Sequence, residues 1–302
     1  MVKNGWRERV NSMTGSWIDA HCHLADQRLA ADIEQVIEHS RHQGVTSWVQ
    51  GGVGPRDWER QQKLRKRFGK SVLPSFGLHP WWVTNHSEAE IDSALHQLHQ
   101  LLPSRSSHAV AIGEIGLDLH PKRLRHPNAF TKQLRAFEAE LRLAKQVRLP
   151  VIIHSVRSDH HILDALTRLG PFPNGGLIHS FSGTVSHGLA FIERGFHLSL
   201  SGAQLSSAKR LRSYAELPID QIVIETDAPD QLPRGWGGGL NEPANLLRIA
   251  NAWANTWQTT GAMLLDNGRI ILEALFALPT IHSPITPNPV SSPDPASHDR
   301  KA

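Results

Sequence analysis

The chain has a single cysteine, Cys22, so an intramolecular disulfide is excluded, which suits a reducing compartment. Tyrosine is almost absent, one residue against 19 histidines. No apolar run approaches the ~18 residues of a membrane span. The opening MVKNGWRERVNSMTGS is polar and lacks the apolar core of a secretory leader. A cytoplasmic location with no membrane partner is the expectation. Net charge is small, +4 over 302 residues, which permits an anionic partner without demanding one. Nor does a G-x-G-x-x-G follow the first strand-like run, and that argues against a dinucleotide-binding open sheet.

What is present is alternation. Strands are predicted at Trp17–Ala20, Val45–Gln50, Val72–Phe76, Ala109–Ile112, Val151–Ile153, Gly176–Ile178, Phe196–Leu200 and Ile222–Ile224. Between them lie amphipathic stretches at Leu29–His42, Asp57–Phe68, Glu88–Leu102, Ala129–Val147, Asp159–Leu169, Val185–Arg194 and Ser207–Leu217. Pro243–Trp257 follows the last strand. Such alternation implies a parallel sheet with crossover helices. A (β/α)₈ TIM barrel, commonly about 250 residues, fits the count better than a doubly wound sheet, the structural alternative. The barrel is expected over residues 16–278, after a short extension at 1–15. From Pro279 to the end prolines recur among Ser, Thr and Asn, a composition that cannot build a core and predicts a disordered tail.

The chemistry is suggested by where histidines and carboxylates fall. His21 and His23 follow the first strand, and residues two apart in extended chain point the same way. Glu114 is placed at the end of the fourth strand, His154 of the fifth, His179 of the sixth and Asp227 of the eighth. In a parallel barrel those ends meet at one face, where active sites are built. A lone strand-end histidine is more often structural, but coincidence at five separate ends is a poor explanation. Four imidazoles and two carboxylates suit Zn²⁺, Mn²⁺, Co²⁺ or Fe²⁺, and tolerate Mg²⁺ less well.

These residues sit in an ordered set of motifs. Ile18-Asp19-Ala20-His21-Cys22-His23-Leu24, Gly77-Leu78-His79-Pro80 and Gly113-Glu114-Ile115-Gly116-Leu117-Asp118 come first. Pro150 to Ser155, His179-Ser180-Phe181-Ser182-Gly183 and Glu225-Thr226-Asp227-Ala228-Pro229 follow. Together, across about residues 16–278, they resemble the TatD family of metal-dependent deoxyribonucleases within the amidohydrolase-like TIM barrels. Asp230 with Asn241-Glu242-Pro243 is similar to its YjjV-like branch. The resemblance implies two divalent metal ions, one held by His21, His23 and Asp227, the other by His154 and His179, with Glu114 bridging. A water shared between such metals is activated for attack, with Asp227 and Glu114 as catalytic residues and Asp227 able to take a proton. Glu225 is expected to orient a ligand histidine. Three departures stand out. Val156 separates the His-Ser pair from Arg157, Ser180 stands where Cys or Gly is common, and Asn267-Gly268-Arg269 matches the usual ending poorly.

The loops after the strands form the rim. They carry His79, Trp81 and Trp82, then Lys122, Arg123 and Arg125, then Arg157, then Arg234 and Trp236. Cations interleaved with aromatics suit single-stranded nucleic acid. The run Lys63, Arg65, Lys66, Arg67, Lys70 lies at a helix end on the opposite face and reads as a solvated surface. The leading expectation is a 3′–5′ exonuclease on single-stranded DNA, with no protein partner indicated. The alternatives are an ester or amide hydrolase, such as a D-aminoacyl-tRNA deacylase, and a non-catalytic metal-bound barrel that binds nucleic acid.

Overall fold

A computed structural model describes residues 15–104, 107–237 and 239–279. The expected extension and Pro-rich tail lie outside the described residues, apart from Gly15 and Pro279. The strands are β1 (Trp17–Cys22), β2 (Val45–Gln50), β3 (Val72–Leu73), β4 (Ser75–Phe76), β5 (Ala111–Asp118), β6 (Val151–Val156), β7 (Gly176–His179), β8 (Phe196–Leu200) and β9 (Ile222–Ile224). All pairings are parallel and run in chain order. β3 and β4 are one predicted strand interrupted at Pro74, which has no N–H for a ladder. The chain beyond β9 returns alongside β1, where Asp227 N donates to His21 O at 3.0 Å and His23 N to Ala228 O at 2.6 Å. The architecture is that of the (β/α)₈ TIM barrel.

The helices are α1 (Ile33–His42), α2 (Pro55–Phe68), α3 (Pro80–Asn85), α4 (Glu88–Leu101), α5 (Ala129–Val147), α6 (Asp159–Leu169), α7 (Val185–Ile192), α8 (Ala208–Ser213), α9 (Leu246–Ala254) and α10 (Gly261–Leu275). Their starts are marked by local chemistry. Pro55 opens α2, Ser87 and Glu90 form a reciprocal cap on α4, and Thr260 caps α10. Among the described residues no helix is long and apolar enough to cross a membrane.

Two cores follow from the alternation of side chains along each strand. The outer one packs strands against helices, with Trp48 fully buried and its Nε1 donating to Ser40 Oγ at 2.8 Å. The inner one takes Ile18, Ala20, Val49, Leu73, Ala111, Ile152, Leu177 and Val223 from the strands, Ile271 and Leu272 from α10, and Phe276 from just beyond it. Truncating such a residue, as in Ile152→Ala, costs about 2–5 kcal/mol. α10 also spans the seam between first and last strands. Trp17 Nε1 donates to Asp266 Oδ1 at 3.0 Å, and Gly268 faces Val223.

Two helices add to the expected elements, and three strand boundaries need correction. Helix α10 absorbs the Asn267-Gly268-Arg269 region; Asn and Gly are weak helix formers and hide it from a propensity reading. Helix α3, only six residues long, was likewise not expected. Most important, β5 runs to Asp118, β6 to Val156 and β1 to Cys22, so Glu114, His154 and His21 lie inside their strands rather than at or beyond their ends. Gly113 and Gly116 serve close approach to β6. A Cβ on Gly113 would lie 2.6 Å from Ile152 Cβ, and one on Gly116 would strike the His154 carbonyl.

Candidate metal centre

The strand ends bring four imidazoles around one carboxylate. β1 delivers His21 and its continuation His23, whose Nε2 atoms lie 3.2 Å apart. β6 supplies His154 and β7 ends on His179. Asp227 follows β9 in the left-handed region, with φ of 54°. Glu114, 1% exposed, sits between them. Its Oε2 lies 3.2 Å from His21 Nε2 and 3.3 Å from His23 Nε2, its Oε1 2.6 Å from His154 Nδ1 and 3.1 Å from His179 Nε2. Asp227 Oδ1 lies 3.3 Å from His23 Nε2. The six residues singled out in the sequence therefore meet in one pocket.

Electrostatics follow from that packing. Burial disfavours the Glu114 carboxylate, but His179, His79 and the bond to His154 outweigh it and hold the carboxyl well below its ordinary range. Burial also opposes charge on His179, and Glu114, Glu225 and Asp227 overcome it, raising the imidazole well above 6.5. His23 is raised for the same reason, by Asp227 and Glu114 against burial. His21 goes the other way, lowered by burial and by neighbouring His179.

Supporting contacts fix these groups. Glu225, fully buried, receives His179 Nδ1 at 3.0 Å through Oε1 and the Ser199 hydroxyl through Oε2. Asp19 accepts from Thr226 N at 3.0 Å and Thr226 Oγ1 at 2.5 Å, tying β1 to the segment that carries Asp227. Gln231 donates to Asp227 Oδ2.

The cluster fits divalent cations. Among the described residues, three groups have ligand atoms within 4.8 Å of one another: His21, His23 and Asp227; His21, Glu114 and His179; His79, Glu114 and His154. His154 Nε2 and Asp227 Oδ1 are buried without an aligned hydrogen-bond partner, which is costly for such groups unless something satisfies them.

The rim divides into residues that join the cluster and residues that do not. His79, expected as a rim contact, is instead 7% exposed, with Nε2 3.2 Å from Glu114 Oε1. Burial drives its imidazole down to about 4 against the pull of Glu114. Trp81 does stand at the mouth, 42% exposed, its indole donating to Asp118 and the Arg123 guanidinium 3.7 Å above its ring. Trp82 turns away to stack on His86 at 3.8 Å. Arg125, Arg157 and Arg234 are exposed and make no recorded ion pair among the described residues. Trp236 is covered by Arg248, 3.7 Å from its ring. In the basic run of α2, Arg65 departs from the expected solvated face, since its Nη1 donates to Val72 O at 2.7 Å.

Asp118 is the clearest residue not singled out beforehand. Its Oδ2 lies 3.7 Å from His154 Nε2. Burial opposes its charge, but His154 and the Trp81 indole prevail and hold the carboxyl down at about 2. The signal was available, because Asp118 lies four residues beyond Glu114 in an alternating strand.

Comparison with known proteins agrees with this geometry. Residues 18–276 match the model of the TatD related DNase family. The uncharacterized metal-dependent hydrolase YjjV of Escherichia coli K12 is 31% identical over 235 residues, covering 77% of this chain and 87% of its own. The 3'-5' ssDNA/RNA exonuclease TatD of Pantoea vagans is 30% identical over 251 residues, covering 81% and 92%. The crystal structure of YjjV, a TatD homolog from E. coli, superposes with a TM-score of 0.79 at 28% identity, covering 88% of this chain and 100% of that one. The chain belongs to the TatD related DNase family and is a metal-dependent hydrolase acting on ester bonds.

Proposed function

We propose that the chain is a two-metal phosphodiesterase that shortens single-stranded DNA from its 3′ end. The observation that carries this reading is the split of the Glu114 carboxylate, with His21 and His23 against one oxygen and His154 and His179 against the other. His21, His23 and Asp227 would hold one divalent cation and His154 and His179 the second, with Glu114 shared between them. The single barrel at residues 16–278 carries the whole site. When bound, the cations acidify a water and stabilise the attacking and leaving oxygens of an in-line displacement.

The other tasks fall to side chains. Asp227 Oδ1, without an aligned donor, accepts the proton of the attacking water. Although burial opposes it, His179, His23 and His21 keep that carboxyl ionised at neutral pH, so it hands the proton on to the leaving 3′ oxygen rather than keeping it. Glu225 fixes the His179 ring through Nδ1. His79 donates through Nε2 toward Glu114, because its Nδ1 already accepts from Trp81 N at 3.0 Å. Trp81 with Arg123 offers an aromatic face and a cation to a base and its phosphate, and Arg125, Arg157 and Arg234 add cations around the rim. The 3′ polarity is taken from the P. vagans relative's name.

The test is incubation of metal-loaded protein with 5′-labelled single-stranded DNA and, separately, with D-aminoacyl-tRNA. A ladder of shortened DNA that keeps its label is expected. Ester cleavage with DNA intact would replace this reading with acyl hydrolysis. DNA binding without turnover under every divalent metal would reduce the protein to a binding barrel.

A further inference from the structure

A second open space adjoins the cluster on the His23 side. It is a groove of 780 Å³ between the loop after β1, the first turns of α2, and α3 with α4, within the roughly 300–1,000 Å³ of ligand clefts. Its walls carry Arg56, Arg60, Trp82 and His86. The acidic groups that also face it are already engaged. Asp26 pairs with Arg28 at 2.8 Å, Asp57 accepts from Gln61 at 2.9 Å and Val53 N at 3.1 Å, and Glu90 caps α4 through Ser87. Arg60 is held by Ala25 O at 2.8 Å. Arg56 is exposed and makes no recorded ion pair among the described residues. The aromatic wall is fixed in place: Trp82 stacks on His86, and its indole lies so close to Gly54 that a Cβ there would be 2.7 Å from the ring.

A strand whose phosphate sits at the cluster must leave it in two directions. Trp81 and Arg123 stand near His154 and Asp118, at the Oε1 end of Glu114, whereas the groove opens from His23 at the Oε2 end. We propose that this groove is a nucleotide subsite that seats the residue flanking the scissile phosphate, with Arg56 against its phosphate and the Trp82–His86 wall beside its base. This rests on the phosphodiesterase reading and deepens it. Ion pairing supplies affinity independent of sequence, and an aromatic wall tolerates any base, so the subsite accepts single strands without base preference.

The test is fluorescence anisotropy with a labelled, fully phosphorothioate-linked dT10, which resists cleavage, on the metal-loaded full chain. Arg56→Glu is compared with Lys66→Glu, the same charge change on an exposed residue of the same helix. Arg56→Glu is expected to weaken binding about tenfold, and Arg56→Ala to lower the salt slope by about one. Lys66→Glu leaves both unchanged. Equal dissociation constants for Arg56→Glu and Lys66→Glu overturn the subsite, whatever the turnover. Unmodified dT10 that wild type binds but does not cut instead overturns the phosphodiesterase reading, and the loss on Arg56→Glu then still assigns the groove as a strand-binding site.

Discussion

The carboxylate of Glu225 lies 3.0 Å from Nδ1 of His179, on the ring edge opposite the Nε2 that meets Glu114. A buried carboxylate in that position fixes the tautomer and strengthens the ring as a donor to a cation. Glu225→Ala should lower metal affinity about 10- to 100-fold. Glu225→Gln, which keeps an acceptor oxygen, should lose less. Titration calorimetry with Zn²⁺ or Mn²⁺ reads both, and an unchanged affinity in the alanine variant would assign Glu225 to the barrel wall alone.

Glu114 offers a sharper separation of folding from chemistry. If both cations share it, Glu114→Ala should reduce kcat by on the order of a thousandfold, about 4 kcal/mol of barrier. Circular dichroism should be unchanged, because the inner and outer cores do not include it. Full activity in that variant would end the shared-ligand assignment.

Much of this site was legible in the sequence because barrel topology does the gathering. Runs such as Val151–Ile153 and Ile222–Ile224 declare strands, and the polar residue that follows each one lands on a common face. The six ligand candidates come together for that reason. What stayed hidden depends on packing. Gly113 and Gly116 look like strand breakers until the backbone of β6 is seen against them. His79 and Trp82 share a loop and helix with Trp81, yet only Trp81 faces the mouth, because a helical turn sends neighbours in different directions. Arg56 and Arg60 were open to the same reasoning, since they follow β2, whose end opens on the same face as the others.

Removal of metal should be felt as lost stability. A ligand present at a hundred times its dissociation constant stabilises by about 2.7 kcal/mol, roughly 4–5 °C in a chain of this size. Chelation should lower Tm by about that amount and re-addition restore it, with no response in Glu114→Ala. Differential scanning calorimetry with and without chelator checks this, and an unmoved Tm in wild type would argue against a preformed site.

Glu140 gives a pH signature distinct from the ligands. It is fully buried on α5, its Oε1 accepts from Leu78 N at 2.7 Å, and Oε2 has no hydrogen-bond partner. Burial pushes its carboxyl well above 4.5, against the Leu78 bond. Between the unfolded and folded values the native state therefore holds the extra proton. Stability falls as pH rises through that window, by up to about 1.4 kcal/mol per unit. Glu140→Gln does not titrate and lacks the slope. Urea melts from about pH 5 to about pH 8 should show wild type losing stability relative to the variant as pH rises. Parallel curves would mean that Glu140 titrates alike in both states.

The rim cations supply the last discrimination. Arg123 rests on the Trp81 ring, while its sequence neighbours Lys122 and Arg125 are exposed. Replacing all three with alanine should weaken single-stranded DNA binding roughly uniformly across sequences and reduce the salt slope by about two to three. Removing Trp81 alone, by Trp81→Leu, should cost about 1–3 kcal/mol of binding through lost base stacking, while the salt slope stays near wild type, because a ring carries no counterion to release. The two variants thus separate charge from stacking at the same lip of the site. Binding curves at several salt concentrations decide the matter: a triple variant that keeps the wild-type slope would place the strand away from the Trp81 lip.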